Sequence, residues 1–202
     1  KVCGSSLKAA MIAATEISAG VSNLVVAGGM ESMSNAPHFV RGARRGEDFS
    51  YASLESVLVH DGLKDAYTGE SMGNTGETIA DEHGITREQS DAFAVRSHAL
   101  ANRAWNEGWL DKEVFTVGGL ERDEGIRTAS SMESLSDLAA VFKEDGQVTA
   151  GNSSQISDGA SAILIASEEA AAKYGLPVLA RIVGYATSGV ESHRVMSAPI
   201  PT

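Results

Sequence analysis

KVCGSSLKAAMIAATEISAG, Lys1 to Gly20, is the stretch from which the rest of the chain can be read. Leu7, Ala10, Met11, Ala14 and Ile17 recur at helical spacing, and Gly20 stands where a helix end needs a residue tolerant of positive φ. The pattern predicts a helix that starts just after Cys3, the only cysteine among 202 residues. The first turn of such a helix aims amide N–H groups and the positive end of its dipole at the sulfur, which favours the nucleophilic thiolate. Gly4 and Ser5 leave the approach to that sulfur open. By itself the pattern also fits an inert, buried cysteine.

Outward from this helix, Asn23 to Gly29 is a short apolar run rich in valine and closed by glycine, the pattern of a strand buried on both faces as in parallel sheets. Helix followed by strand implies α/β packing. Gly28 and Gly29 mark a point where backbone passes close to a neighbour. Beyond them, Met30, Met33 and Pro37 open an irregular connection.

Composition narrows the class. A hydrophobic fraction of 43% suits a globular protein, and a lone cysteine cannot form an internal disulfide, which fits a reducing compartment. No apolar run is long enough to predict a membrane span. The formal charge of −11 argues against nucleic acid as a partner.

Three blocks carry a family resemblance. VCGSSLKA, around Cys3, resembles the nucleophile motif of the thiolases, where VCGSGLKA is typical; NLVVAGGMESMS (Asn23 to Ser34) follows at the matching distance. TAGNSSQISDGASAILIAS (Thr149 to Ser167) resembles the thiolase segment that meets the pantetheine arm of coenzyme A. The resemblance implies a layered αβαβα α/β fold, incomplete here: a partial N-terminal domain over 1–176 with a loop domain inserted at about 31–148, then the beginning of a C-terminal domain over 177–202. The chain reads as cut at both ends, lacking the NEAF block, the histidine of GHPxGxSG and the second cysteine of CxGGG.

Continuing along the chain, the segment from Phe39 to Phe49 holds Arg41, Arg44 and Arg45, which read as a solvated loop or as an attractor for a coenzyme A phosphate. In Glu70 to Gly84 a polar, glycine-containing loop feeds a short helix near Ile79 and Ala80. Met72 falls in that loop, and resemblance to the HMGTTAE block of thiolases makes it a lining residue of the acyl pocket. Ser71 stands where many biosynthetic members carry histidine. TREQ, from Thr86, is a capping box opening a helix over about Arg87 to Glu107, with Gly108 beyond it. Phe93, Leu100 and Ala104 mark its buried face, and Asp91, Arg96 and Arg103 its wet face. Val114 to Val117 reads as a short strand, Leu120 to Leu138 as an exposed crossing. The resemblance maps Arg127 and Ser134 onto the adenine end of coenzyme A, Phe142 onto the pantetheine, and Ala150 and Ser154 onto hydrogen-bonding positions along the same arm. Asp158 and Gly159 form a turn tied down by the carboxylate, Ala160 to Ala166 a buried strand or helix. Ser167 caps a helix over Glu168 to Tyr174, stopped by Gly175 and Pro177, and VLARIVGYATSGV then reads as a strand. The five histidines are scattered at spacings that suit no metal, so no metal site is expected.

The chemistry implied is acyl transfer between coenzyme A thioesters. Cys3 takes an acyl group, its own backbone N–H serving as an oxyanion donor, and an acetyl-CoA carbanion then attacks the enzyme thioester. Acetyl-CoA and acyl-CoA are the expected substrates, with no separate cofactor, a cytoplasmic location and a homo-oligomer, dimer or tetramer, as the assembly. A non-catalytic carrier of acyl-CoA or sterol and a β-ketoacyl synthase are the competing classes; a redox-sensing thiol is a more distant one.

Overall fold

Helix α1, Ser5–Ser18, begins one short turn after the cysteine, following a 3-10 turn over Val2–Gly4. It ends where the glycine predicts. Gly20 has φ 71°, its N–H bonds to the Ile17 carbonyl, and the Val21 N–H reaches back to Glu16 at 2.9 Å, closing the last turn as a Schellman motif. The computed structural model describes residues 1–46 and 54–202, so Glu47, Asp48 and Phe49 of the arginine-rich segment lie outside the described residues. Two units emerge. The first holds residues 1–62, 156–188 and 202, the second 63–155 and 189–201.

In the first unit α1 packs on a two-stranded sheet of β1, Leu24–Glu31, and β4, Gly159–Ala166. The strands are antiparallel, running in register from Leu24 opposite Ala166 to Glu31 opposite Gly159. Ala13, Ala27 and Ile165 form the core, with Ala9, Ala10, Ile17 and Val25 against it. This corrects the expectation of strands buried on both faces. Only the face toward α1 is covered, while Val26 on the opposite face is 70% exposed and Met30, Leu164 and Leu24 are exposed beside it. The glycines do mark close approaches. A β-carbon on Gly28 would meet the Ser161 carbonyl at 2.1 Å, and one on Gly29 would meet the Ser6 hydroxyl at 2.4 Å.

Asp158 closes no turn of its own, because Gly159 already pairs with Glu31 as the first residue of β4. Its carboxylate accepts the Ser34 N–H at 2.9 Å and the Ser32 hydroxyl at 3.2 Å, with the Ser34 hydroxyl as a third donor, and so clasps the chain leaving β1 to the chain entering β4. A small ladder, β2 at His38–Phe39 with β3 at Glu55–Ser56, completes this unit's strands among the described residues. Arg41 is not merely solvated. Its guanidinium bonds Glu55 at 2.6 Å and the His60 ring at 2.6 Å and lies over the Phe39 ring, while Arg44 and Arg45 stay exposed. Helix α5, Glu168–Tyr174, is capped by Ser167 and ends at left-handed Gly175, both as predicted. Residues 177–190 form no strand. Side chains hold the stretch instead: the Tyr185 hydroxyl meets Thr15 of α1 at 2.6 Å, and Arg181 pairs with Glu168.

The second unit contains α2, Met72–His83, α3, Arg87–Asn106, and the short α4, Met132–Ser136. Helix α3 has the capping box of Thr86 and Gln89, and Gly108 lies beyond its end with φ 71°. Arg96 and Arg103 are exposed as expected and Ala104 is half-buried, but Asp91, Phe93 and Leu100 lie opposite to the expectation. Asp91 is 1% exposed and Phe93 is 69% exposed, because α3 packs through a polar face onto the loops after α4. Val114 to Val117 forms only an isolated bridge to Leu120, since the chain turns back at once through Gly118 and Gly119, both at positive φ. The segment after Leu120 is exposed as expected, apart from α4, whose Leu135 is buried.

Candidate active site

Cys3 is exposed, in the middle of the turn that precedes α1. The turn is held locally. The Gly4 N–H donates to the Lys1 carbonyl at 2.9 Å and the Ser5 hydroxyl to the Val2 carbonyl at 2.8 Å. Val2 has φ 45°, a left-handed conformation that a β-branched residue adopts only under constraint, and such outliers gather at functional sites. Apart from its chain neighbours and the local helix backbone, nothing lies within 4 Å of the point where a β-carbon on Gly4 would sit. From Gly4 a shallow recess of about 150 Å³ runs along α1 past Leu7 and Met11 to residues 186–188, with Lys1 and Lys8 on its rim.

The other predicted site residues all lie in the second unit. Met72 is not in a loop: the Ser71 hydroxyl accepts the Asn74 N–H and starts α2 at Met72 itself. Gly73 and Gly76, which suggested a loop, are instead contact points on that helix. A β-carbon on Gly73 would lie 2.3 Å from the Phe142 ring, and one on Gly76 would lie 3.4 Å from Val148. Phe142 thus rests on the backbone of α2, beside an open recess of about 300 Å³ whose walls include Asn74, Glu77, Asp81 and Lys143. The Lys143 ammonium donates to Asp81 at 2.5 Å, and this bond holds its pKa above the ordinary lysine value.

Ala150 and Ser154 are exposed on the loop that follows. That loop is anchored by polar residues to which sequence reasoning gave no role in the site. The buried Glu77 carboxylate accepts the Gln147 N–H at 2.9 Å and the Val148 N–H at 2.7 Å. Asn152 receives the Thr149 N–H at 2.8 Å and donates to the Gln147 carbonyl at 2.8 Å and to Asp91 at 2.9 Å. Arg87 in turn bonds Asp91 at 2.7 Å and the Leu138 carbonyl at 3.0 Å. A charged residue one turn into a well-capped helix, as Asp91 is, could have suggested this role only with the partner loop known.

Arg127 is exposed, and its N–H donates to His98 Nδ1 at 3.2 Å, leaving the guanidinium on the surface. Ser134 closes the capping box of α4 with Ser131: its hydroxyl accepts the Ser131 N–H at 3.0 Å and donates to the Ser131 carbonyl at 2.9 Å. Within the second unit, then, Met72 and Phe142 both belong to the packing of α2, while Arg127 and Ser134 lie on the stretch after Leu120. No group of three or more potential ligand side chains suits a metal ion among the described residues.

Residues 1–169 match the family described as the N-terminal domain of thiolase. The chain belongs to the thiolase family. An acetyl-CoA acetyltransferase of Pseudomonas aeruginosa is 42% identical over 200 residues, covering 95% of this chain and 51% of the relative; another from Cupriavidus necator is 41% identical over 210 residues, covering 100% and 53%. The chain thus spans about half the length of the curated thiolases it matches. Among solved structures, human mitochondrial 3-ketoacyl-CoA thiolase in complex with CoA superposes with a TM-score of 0.92 at 35% identity, over 98% of this chain and 51% of that one. The Acat5 thiolase of Ascaris suum in complex with coenzyme A gives 0.86 at 40% identity, over 95% and 50%. The fold is therefore the thiolase α/β fold over the portion present. No helix among the described residues is long and apolar enough to cross a membrane.

Proposed function

We propose that this chain carries the nucleophilic half of a thiolase, an acyl-CoA:acetyl-CoA C-acyltransferase that makes or cleaves 3-ketoacyl-CoA. The observation that carries the reading is Cys3, exposed in a constrained turn at the start of α1. In the first step its thiolate attacks the thioester carbonyl, the carbon–sulfur bond to coenzyme A breaks, and coenzyme A leaves as a thiolate. The Cys3 N–H serves the oxyanion. In the second step a carbanion at the α-carbon of acetyl-CoA attacks the enzyme thioester and returns the Cys3 thiolate. That step needs a base to take the α-proton, a second cysteine in thiolases, and this chain has one cysteine. In thiolases a histidine also draws the proton from the nucleophile, so these 202 residues alone are expected to be inactive, with even the acylation of Cys3 slow.

The substrates are acetyl-CoA and acyl-CoA, and the chemistry rests on side chains and substrate with no separate cofactor. Met72 lines the acyl pocket, Phe142, Ala150 and Ser154 hold the pantetheine, and Arg127 and Ser134 meet the adenine end. The names of the relatives and the coenzyme A held by two of the solved thiolases support coenzyme A thioesters as the substrates. A cytoplasmic homo-oligomer, dimer or tetramer, is the setting.

Mass spectrometry of the full-length parent enzyme after incubation with acetyl-CoA tests the reading. An acetyl adduct is expected on the peptide containing Cys3 and is expected to vanish in Cys3→Ser. Coenzyme A binding without any adduct would mark a carrier instead. Acetoacetyl-CoA cleavage by these residues is expected to fall at least about 10³-fold below that of a thiolase of twice the length, as when a catalytic group is deleted.

A further inference from the structure

Helix α2 offers an unusual face to the loop that follows α4. At positions 73, 76 and 77 it presents two glycines and one glutamate, and against them lie the Phe142 ring, the Val148 side chain and the main-chain N–H groups of Gln147 and Val148. The glutamate is the singular element. Glu77 is 3% exposed, and its carboxylate hydrogen-bonds backbone amides of one short stretch rather than a guanidinium or ammonium. Removing a carboxylate from water costs several kcal/mol unless its lone pairs are satisfied, so the amides of 147 and 148 are held to one geometry by a strong, directional bond. The fit is tight. A β-carbon on Gly146 would come within 2.4 Å of a Glu77 carboxylate oxygen.

We propose that Glu77 is a positioning residue for the pantetheine arm of coenzyme A, setting the loop that carries Phe142 on one side of the bonded amides and Ala150 and Ser154 on the other. The inference rests on the assignment of those three residues to coenzyme A made above. Glu77 touches none of the substrate; it acts through the amides of Gln147 and Val148. The Val141 N–H donates to the Val148 carbonyl at 3.0 Å and carries the position back toward Phe142, and Asn152, held by Asp91, fixes the outgoing end. The stretch bearing Arg127 and Ser134 has no bond to Glu77, so the effect is confined to one part of the ligand.

Calorimetric titration of the full chain with coenzyme A, with pantetheine and with adenosine 3′,5′-bisphosphate tests this. For Glu77→Ala, affinity for coenzyme A and pantetheine is expected to fall about tenfold, the loss of a charge-assisted hydrogen bond, while adenosine 3′,5′-bisphosphate binds as to the unaltered chain. Glu77→Gln, which keeps one carbonyl acceptor, is expected to recover part of the loss. Gly146→Ala, which displaces the carboxylate without removing charge, is expected to show the same selectivity and keeps the test open should Glu77→Ala fail to fold. Equal weakening toward all three ligands, or unchanged affinity in every folded variant, overturns the positioning role. Absence of coenzyme A binding by the unaltered chain is a different result, which removes the coenzyme A assignment and this inference with it.

Discussion

Phe142 occupies the space that a side chain at position 73 would need, and this one contact couples a helix glycine to the loop that follows α4. Gly73→Ala places a methyl group 2.3 Å from the ring, so the ring must move. Overpacking of this kind costs about 1–3 kcal/mol, to be read by denaturant unfolding, and coenzyme A affinity is expected to fall with it. Asp158 gives a prediction in pH. Donation from the Ser34 hydroxyl, then from the Ser34 N–H, lowers its pKa below the ordinary 3.8. A depressed carboxylate pKa contributes stability that is fully present above the unfolded value and is lost as pH falls through the folded one. Hydrogen exchange at residues 32–34 is expected to accelerate as the pH falls below 3.8, and Asp158→Asn to show that acceleration already at neutral pH. At this scale the sequence was informative about Cys3, whose neighbours are all within a turn. It was silent about Glu77 and put Asp91 in water, because their loop partners Gln147, Val148 and Asn152 lie 61 to 71 residues away.

Helix termini were the most legible elements, because their determinants are local. Thr86 with Gln89, Ser167, Gly20, Gly108 and Gly175 all act within one turn of the ends they define, and each does what its type and position predict. Thr86→Ala removes the acceptor for the Gln89 N–H and is expected to destabilise the second unit by about 1 kcal/mol in thermal or denaturant melts. The faces of the elements were less legible. Whether Phe93 or Asp91 turns inward on α3 is decided by what packs there, and Arg87 with Asn152 makes the polar side the buried one. Strands failed for a related reason. The apolar runs at 114–117 and 177–190 have the composition of strands, but a ladder needs a partner and neither finds one beyond the single Val117 bridge. Met72 was misplaced because two glycines argued for a loop, when their role is to let Phe142 and Val148 approach the helix axis.

The whole chain exposes 14829 Å², whereas a folded monomer of 202 residues is expected to expose about 9,000 Å², and even two separate bodies of half the size about 11,000 Å². The exposed apolar residues include Val26, Met30 and Leu164 on the uncovered face of the β1 and β4 sheet. The chain by itself is expected to bind hydrophobic dye and to associate with rising concentration in sedimentation velocity. Val26→Lys, which places a charge on that face, is expected to reduce the association and leave far-ultraviolet circular dichroism unchanged. The clasp of Asp158 on Ser32 and Ser34 bears on how such a protein can change over time. The strands β1 and β4 face each other to their last rung, Glu31 against Gly159, so everything between departs and returns through one narrow doorway. Closing a loop there costs free energy that grows only with the logarithm of its length. The intervening stretch can therefore vary in length at small cost while the two strands stay in register.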